Sequence, residues 1–128
     1  MRALITGVAG QDGTLLSAAL VKNGWEVFGT HLASEVIPTS HSLHNGNLAV
    51  LDITDQDRVT EVVQKVDPDV IWHLAGITSV SFSIQNPELT FSVNVGGTQN
   101  LLEAISKYTP ESLFINASST EIYDASSG

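Results

Sequence analysis

Three glycines recur at every third position near the start of the chain, in Gly7-Val8-Ala9-Gly10-Gln11-Asp12-Gly13. Where a strand enters such a loop and a helix leaves it, the bare backbone N–H groups and the positive end of the helix dipole can receive a dinucleotide pyrophosphate. Each glycine then has its own task. Gly7 permits the tight turn, Gly10 lets the backbone approach the phosphates, and Gly13 lets the helix pack closely on the strand. Gln11 and Asp12 complete the loop as cofactor-binding candidates.

The remaining residues with chemical potential are few. Asp52 follows an apolar stretch and is either a ligand acceptor or a strand-end capping carboxylate. Ser118-Ser119-Thr120-Glu121 follows another such stretch, and the carboxyl ends of buried strands are where open α/β sheets bind ligands. A Glu that both removes and delivers protons needs a pKa raised toward neutrality by partial burial; otherwise Glu121 is a solvent-facing carboxylate at the start of a turn. His73 reads as a satisfied core histidine, Asn94 as a buttress for neighbouring backbone, and His31, His41 and His44 as solvated loop residues. No second His or carboxylate stands at metal-ligand spacing and the sequence has no cysteine, so no metal site, disulfide or thiol nucleophile is expected.

Positioning these groups requires a folded domain. With 128 residues, 42% of them apolar and 15% charged, the chain suits one such domain and is too hydrophobic for intrinsic disorder. Fourteen acidic residues against five Lys and Arg leave a net charge of −9, which repels nucleic-acid phosphates rather than collecting them. No apolar run approaches the ~18 residues that mark a membrane span, and Met1-Arg2 leads into a strand-like segment with no signal-peptide pattern. A cytoplasmic protein without membrane or nucleic-acid partners is expected.

Residues 3–6, 25–29, 48–51, 70–74 and 113–117 are short apolar runs without polar alternation, the pattern of parallel strands covered on both faces. Between them lie three helical patterns. Residues 14–23 carry Leu15, Leu16, Ala19 and Leu20 at helical spacing and stop at Gly24. Thr54 reads as the N-cap of a helix bearing Val59, Val62, Val63 and Val66 and closed by Asp67-Pro68. Asn86-Pro87-Glu88 has the order N-cap, N1, N2 of a long helix reaching about Lys107, with Phe91, Val95, Thr98, Leu102 and Ile105 on one stripe. Residues 31–47 show no period and read as a long surface loop. This alternation predicts a doubly wound parallel α/β sheet of order 3-2-1-4-5.

Taken together, Thr6-Gly7-x-x-Gly10-x-x-Gly13, Asp52-Ile53, His73-Leu74-Ala75-Gly76, Asn94-Val95-x-Gly97-Thr98 and Ser118-Ser119-Thr120-Glu121-Ile122-Tyr123 resemble the extended short-chain dehydrogenase/reductases over the whole chain. Gly10-Gln11-Asp12-Gly13-Thr14-Leu15-Leu16, with Phe82-Ser83 and Asn86-Pro87-Glu88-Leu89-Thr90, is similar to the GDP-mannose 4,6-dehydratases and their nucleotide-sugar relatives. The resemblance implies a Rossmann domain binding NAD or NADP. Asp52 would accept a hydrogen bond from the adenine amine beside the Ile53 backbone, and Leu74, Ala75 and Gly76 would pass the nicotinamide-side ribose. Ser119 would bind the sugar O4, and Glu121 would act on the C5 proton and the leaving 6-hydroxyl, with hydride removed from C4 and returned to C6. An epimerase or 4-keto reductase of the same superfamily, or a non-catalytic dinucleotide-binding module, is the alternative.

The sequence departs from that branch in places. Ile77-Thr78-Ser79 stands for its Gln-Ser-His, Asp124 for a glycine, and Thr30-His31-Leu32 for the arginines that hold the NADP 2′-phosphate. An acidic residue for an NAD ribose is missing there as well, but the lack of Lys or Arg between Lys22 and Arg58 favours NAD. The family's Tyr-x-x-x-Lys has no counterpart, since Tyr108 is followed by Ser112 and Tyr123 by Ser127. Residues 1–128 are therefore expected to be the cofactor-binding part of a longer or split enzyme, inactive alone. Self-association is expected through the fifth strand's edge and the long helix, which in relatives forms part of a dimeric bundle.

Overall fold

The computed structural model describes residues 1–77 and 79–117. Its elements are β1 (Arg2–Thr6), α1 (Gln11–Lys22), β2 (Glu26–His31), β3 (Leu48–Val50), α2 (Gln56–Val66), β4 (Val70–His73), α3 (Val80–Gln85), α4 (Pro87–Phe91), a π-helical segment (Ser92–Gly96), α5 (Gly97–Tyr108) and β5 (Leu113–Asn116). All strand pairs are parallel and the sheet order is β3-β2-β1-β4-β5, the doubly wound order expected. β1 is central, and its continuous apolar sequence is explained by cover on both faces. Successive side chains alternate between faces. Leu4 joins Ile71, Val59, Val63 and Leu101 under α2 and α5, while Ala3 and Ile5 join Val8, Leu20, Val27 and Leu43 on the other side. Among the described residues no helix is long and apolar enough to cross a membrane.

Several local expectations are corrected. α1 begins at Gln11, inside the glycine loop, and buries Gly13, Ser17 and Leu20, leaving Leu15 exposed. The N-cap of α2 is Asp55, whose side chain accepts from the Arg58 N–H at 3.2 Å; Thr54 bonds Asp52 instead. The long helix is interrupted by the π-helical segment. That segment adds a residue to the turn, so an apolar stripe counted straight across it does not stay on one face. Phe91, Val95 and Leu102 point to solvent, and α5 instead buries Gly97, Leu101, Ala104 and Ile105. β5 lacks the cover expected on both faces: Phe114 packs inward, while Leu113 and Ile115 are exposed among the described residues.

The segment between β2 and β3 is not all surface. His41 is 3% exposed, not solvated. Its Nε2–H donates to the Val8 carbonyl at 3.1 Å, while Nδ1 accepts from the Leu43 N–H at 3.0 Å. With both ring nitrogens satisfied, the neutral ring ties this segment to the glycine loop. Leu43 follows it into the core.

Candidate dinucleotide site

In this sheet the chain turns from one side to the other between β1 and β4, and the crevice beyond their carboxyl ends is where doubly wound folds hold ligands. A groove of about 940 Å³ opens there. Gly7, Gly10, Gln11, Asp12 and Gly13 line it after β1; Asp52 and Ile53 after β3; Leu74, Ala75 and Gly76 after β4. The structure thus brings together all ten residues singled out for the cofactor. The sequence reading took His31 for a solvated loop residue and gave no site role to Leu32, Glu35, Phe82 or Leu89; all five line the groove, His31 at the end of β2, Leu32 and Glu35 just after it, and Phe82 and Leu89 on α3 and α4.

The glycines divide the work as their backbone demands. Gly7 has φ +74°, and a Cβ there would lie 2.7 Å from the Ala75 nitrogen, so neither the turn nor the close approach of the two loops tolerates a side chain. A Cβ on Gly13 would lie 2.5 Å from the Gly7 carbonyl and 2.7 Å from the Val8 Cα. Gly13 therefore sets how near α1 comes to β1. Gly10 is the N-cap of α1, with no side-chain capping bond. The first described helical bond runs from the Thr14 N–H to the Gly10 carbonyl at 2.9 Å, and the N–H groups of Gln11, Asp12 and Gly13 have no backbone acceptor among the described residues. Such unpaired donors at a helix start receive anionic oxygens.

β1 and β4 join their carboxyl ends through a buried relay. The Ala75 N–H donates to Thr6 Oγ1 at 3.2 Å, and the Thr6 hydroxyl donates to His73 Nδ1 at 2.7 Å. The Thr6 hydroxyl proton has no acceptor among the described residues other than His73 Nδ1, which assigns Nδ1 as the acceptor and places the ring's own proton on Nε2. His73 is 3% exposed. Burial pushes its pKa down to about 4, so it is a buried neutral histidine, bonded at Nδ1 and without a partner at Nε2 among the described residues.

Asn94 also buttresses backbone. Its Oδ1 accepts from the Ile77 N–H at 2.8 Å and its Nδ2 donates to the Ile77 carbonyl at 3.0 Å. The π-helical segment places Asn94 there, and such segments gather at functional sites. Asp52 is exposed, and its Oδ1 accepts from the Thr54 N–H at 2.9 Å and the Thr54 hydroxyl at 2.7 Å. One carboxylate oxygen is thus committed to the local turn, and the other has no partner among the described residues. Beside it the Ile53 carbonyl accepts from Asn100 Nδ2 at 2.9 Å, while the Ile53 N–H has no partner among the described residues. Gly97 makes room for this arrangement, since a Cβ there would meet Ile53 Cδ1 at 2.5 Å.

Charge on the groove wall is one-sided. Asp12, Glu35 and Asp52 line it, with no Lys or Arg among its described residues. No cluster of three metal-ligating side chains occurs among the described residues. Asn116 and Ala117 carry β5 to the same groove, whereas Ser119 and Glu121 lie outside the described residues.

Residues 4–126 match the family model of GDP-mannose 4,6 dehydratase. A GDP-mannose 4,6-dehydratase of Vibrio cholerae is 36% identical over 133 residues, covering 94% of this chain and 36% of the relative. CDP-paratose 2-epimerase of Salmonella typhi is 35% identical, covering 96% of this chain and 38% of the relative. Among solved structures, UDP-glucose 4-epimerase from Brucella ovis in complex with NAD superimposes with a TM-score of 0.85 at 29% identity, over 97% of this chain and 37% of that one. The chain thus spans little more than a third of the length of the curated relatives it matches. With this match over nearly all of its length, the chain belongs to the GDP-mannose 4,6-dehydratase family.

Proposed function

We propose that residues 1–128 form the NAD(P)-binding domain of a nucleotide-sugar 4,6-dehydratase, a lyase, with NAD as the favoured dinucleotide. The observation that carries this reading is the convergence of three strand-end segments on one groove, where the uncapped start of α1 offers N–H donors and Gly10 leaves the approach open. A bound nicotinamide would supply reversible hydride transfer, from sugar C4 and back to C6. In that reaction the Ser119 hydroxyl holds the sugar O4, and Glu121 takes the C5 proton and protonates the departing 6-hydroxyl. Both roles rest on likeness to the family. Binding is tested by titration calorimetry of residues 1–128 with NAD and NADP. Measurable heat with no 4-keto sugar formed from GDP-mannose is the expected outcome, because no Tyr-x-x-x-Lys occurs in these residues. A folded sample giving no heat with either dinucleotide at about millimolar concentration, the weak end of specific binding, refutes the reading.

Self-association belongs to the same proposal. α5 and the π-helical segment expose Leu102 and Val95, and β5 exposes Leu113, an apolar surface of the kind that pairs. Sedimentation equilibrium at about 100 μM is expected to give a mass above the monomer, since association is driven by concentration; a strictly monomeric result counts against it.

A further inference from the structure

Val8 lies inside the glycine loop, and its place is set from three directions. Its side chain is fully buried in space that Gly29 leaves open, since a Cβ on Gly29 would lie 2.7 Å from Val8 Cγ1. Its N–H donates to the Thr30 carbonyl of β2 at 3.0 Å. These two contacts hold the Cα but leave rotation about the Cα–C bond, one of the two soft backbone torsions, and that rotation aims the peptides leading to Gly10. The third contact fixes it. His41 Nε2–H donates to the Val8 carbonyl at 3.1 Å. The Thr14 hydroxyl lies 3.5 Å from the same carbonyl, but its one proton is committed to the Gly10 carbonyl at 2.8 Å. His41 is itself held, because Nδ1 accepts from the N–H of Leu43 at 3.0 Å and Leu43 packs in the same core cluster as Val8.

From this geometry we propose that His41 is a positioning residue for dinucleotide binding: by holding the Val8 carbonyl it fixes the course of the chain into Gly10, and so the N–H groups at the start of α1 that receive the pyrophosphate. The assignment rests on the dinucleotide reading of the groove. His41 is not among the residues lining that groove, so it acts through Val8. Donors already aimed at an anion need no ordering when it arrives. A loop free to rotate at Val8 presents the same N–H groups for only part of the time, and the affinity falls by that fraction.

The two ring nitrogens can be replaced one at a time. A glutamine amide reaches as far as Nε2 and can donate to the Val8 carbonyl, whereas an asparagine amide reaches only as far as Nδ1, keeping the Leu43 N–H and losing Val8. Each variant retains one of the two bonds, so a merely structural histidine is replaced about equally by either. With NAD titrated into residues 1–128 and folding checked by circular dichroism, His41→Gln is expected to bind within ~3-fold of the unchanged protein and His41→Asn ~10-fold more weakly, the worth of about one hydrogen bond. Equal affinity in the two variants overturns the assignment. Linkage supplies a measurement that needs no variant. If the His41 bond favours the ligand, the ligand favours the bond by the same factor, so saturating NAD is expected to slow solvent exchange of the His41 Nε2–H by ~10-fold relative to the buried amides of β1. An unaltered relative exchange overturns the assignment and leaves the dinucleotide reading in place. Failure of the unchanged, folded protein to bind either NAD or ADP overturns the dinucleotide reading, and this assignment with it.

Discussion

Gly10→Val is expected to leave the protein folded while lowering dinucleotide affinity by at least ~100-fold, the equivalent of about two charge-assisted hydrogen bonds. At Gly10 the backbone has φ −72° and ψ 172°, which any residue adopts, and a Cβ there would meet only the Gly7 carbonyl, at 3.7 Å. The added Cβ is therefore in ordinary contact only, and the isopropyl group it carries stands where phosphate oxygens must come to the N–H groups of α1. Gly13→Val makes the contrasting case. Its Cβ contacts are all backbone and all at or under 3.0 Å, so α1 must move off β1 and the loss of affinity comes with a loss of stability of about 1–3 kcal/mol. Urea denaturation and calorimetry on both variants separate the two effects. If Gly10→Val bound like the unchanged protein, phosphate would not enter at this loop.

The contrast between these glycines was legible in the sequence because spacing and chain position together specify a strand-loop-helix junction. The strand order was legible for a similar reason: apolar runs without alternation require cover on both faces, and alternation with helices supplies it. What failed depended on tertiary choice. A straight period through Phe91, Val95 and Leu102 selects the larger residues, whereas α5 approaches the sheet through Gly97 and Ala104, and the π-helical segment rotates one part of the stripe away from the other. His41 carried no local signal, since its partners are a carbonyl 33 residues away and the N–H of Leu43. Glu35 was passed over because the turn that brings it back to the groove leaves no periodic trace.

The relay under the groove also gives the fold a particular sensitivity to acid. An unfolded chain leaves His73 with the ordinary value of 6.5, and burial lowers it to about 4 in the native protein. Between those values the unfolded state binds the extra proton and the native state does not, so stability rises with pH across that window and falls on acidification. The contribution is fully present above pH 6.5 and has been lost once the pH falls through about 4, a change of about 3 kcal/mol. His73→Asn removes the titration while its Oδ1 can stand where Nδ1 does, still accepting the Thr6 hydroxyl, so that the Ala75 N–H keeps its partner. Urea titrations of both proteins from neutrality to about pH 4 are expected to show the unchanged protein losing about 3 kcal/mol more than the variant, because carboxylates and the remaining histidines titrate alike in the two. Parallel losses would mean that His73 accepts its proton inside the fold without cost, and that the hydroxyl of Thr6 is not tied to a neutral ring.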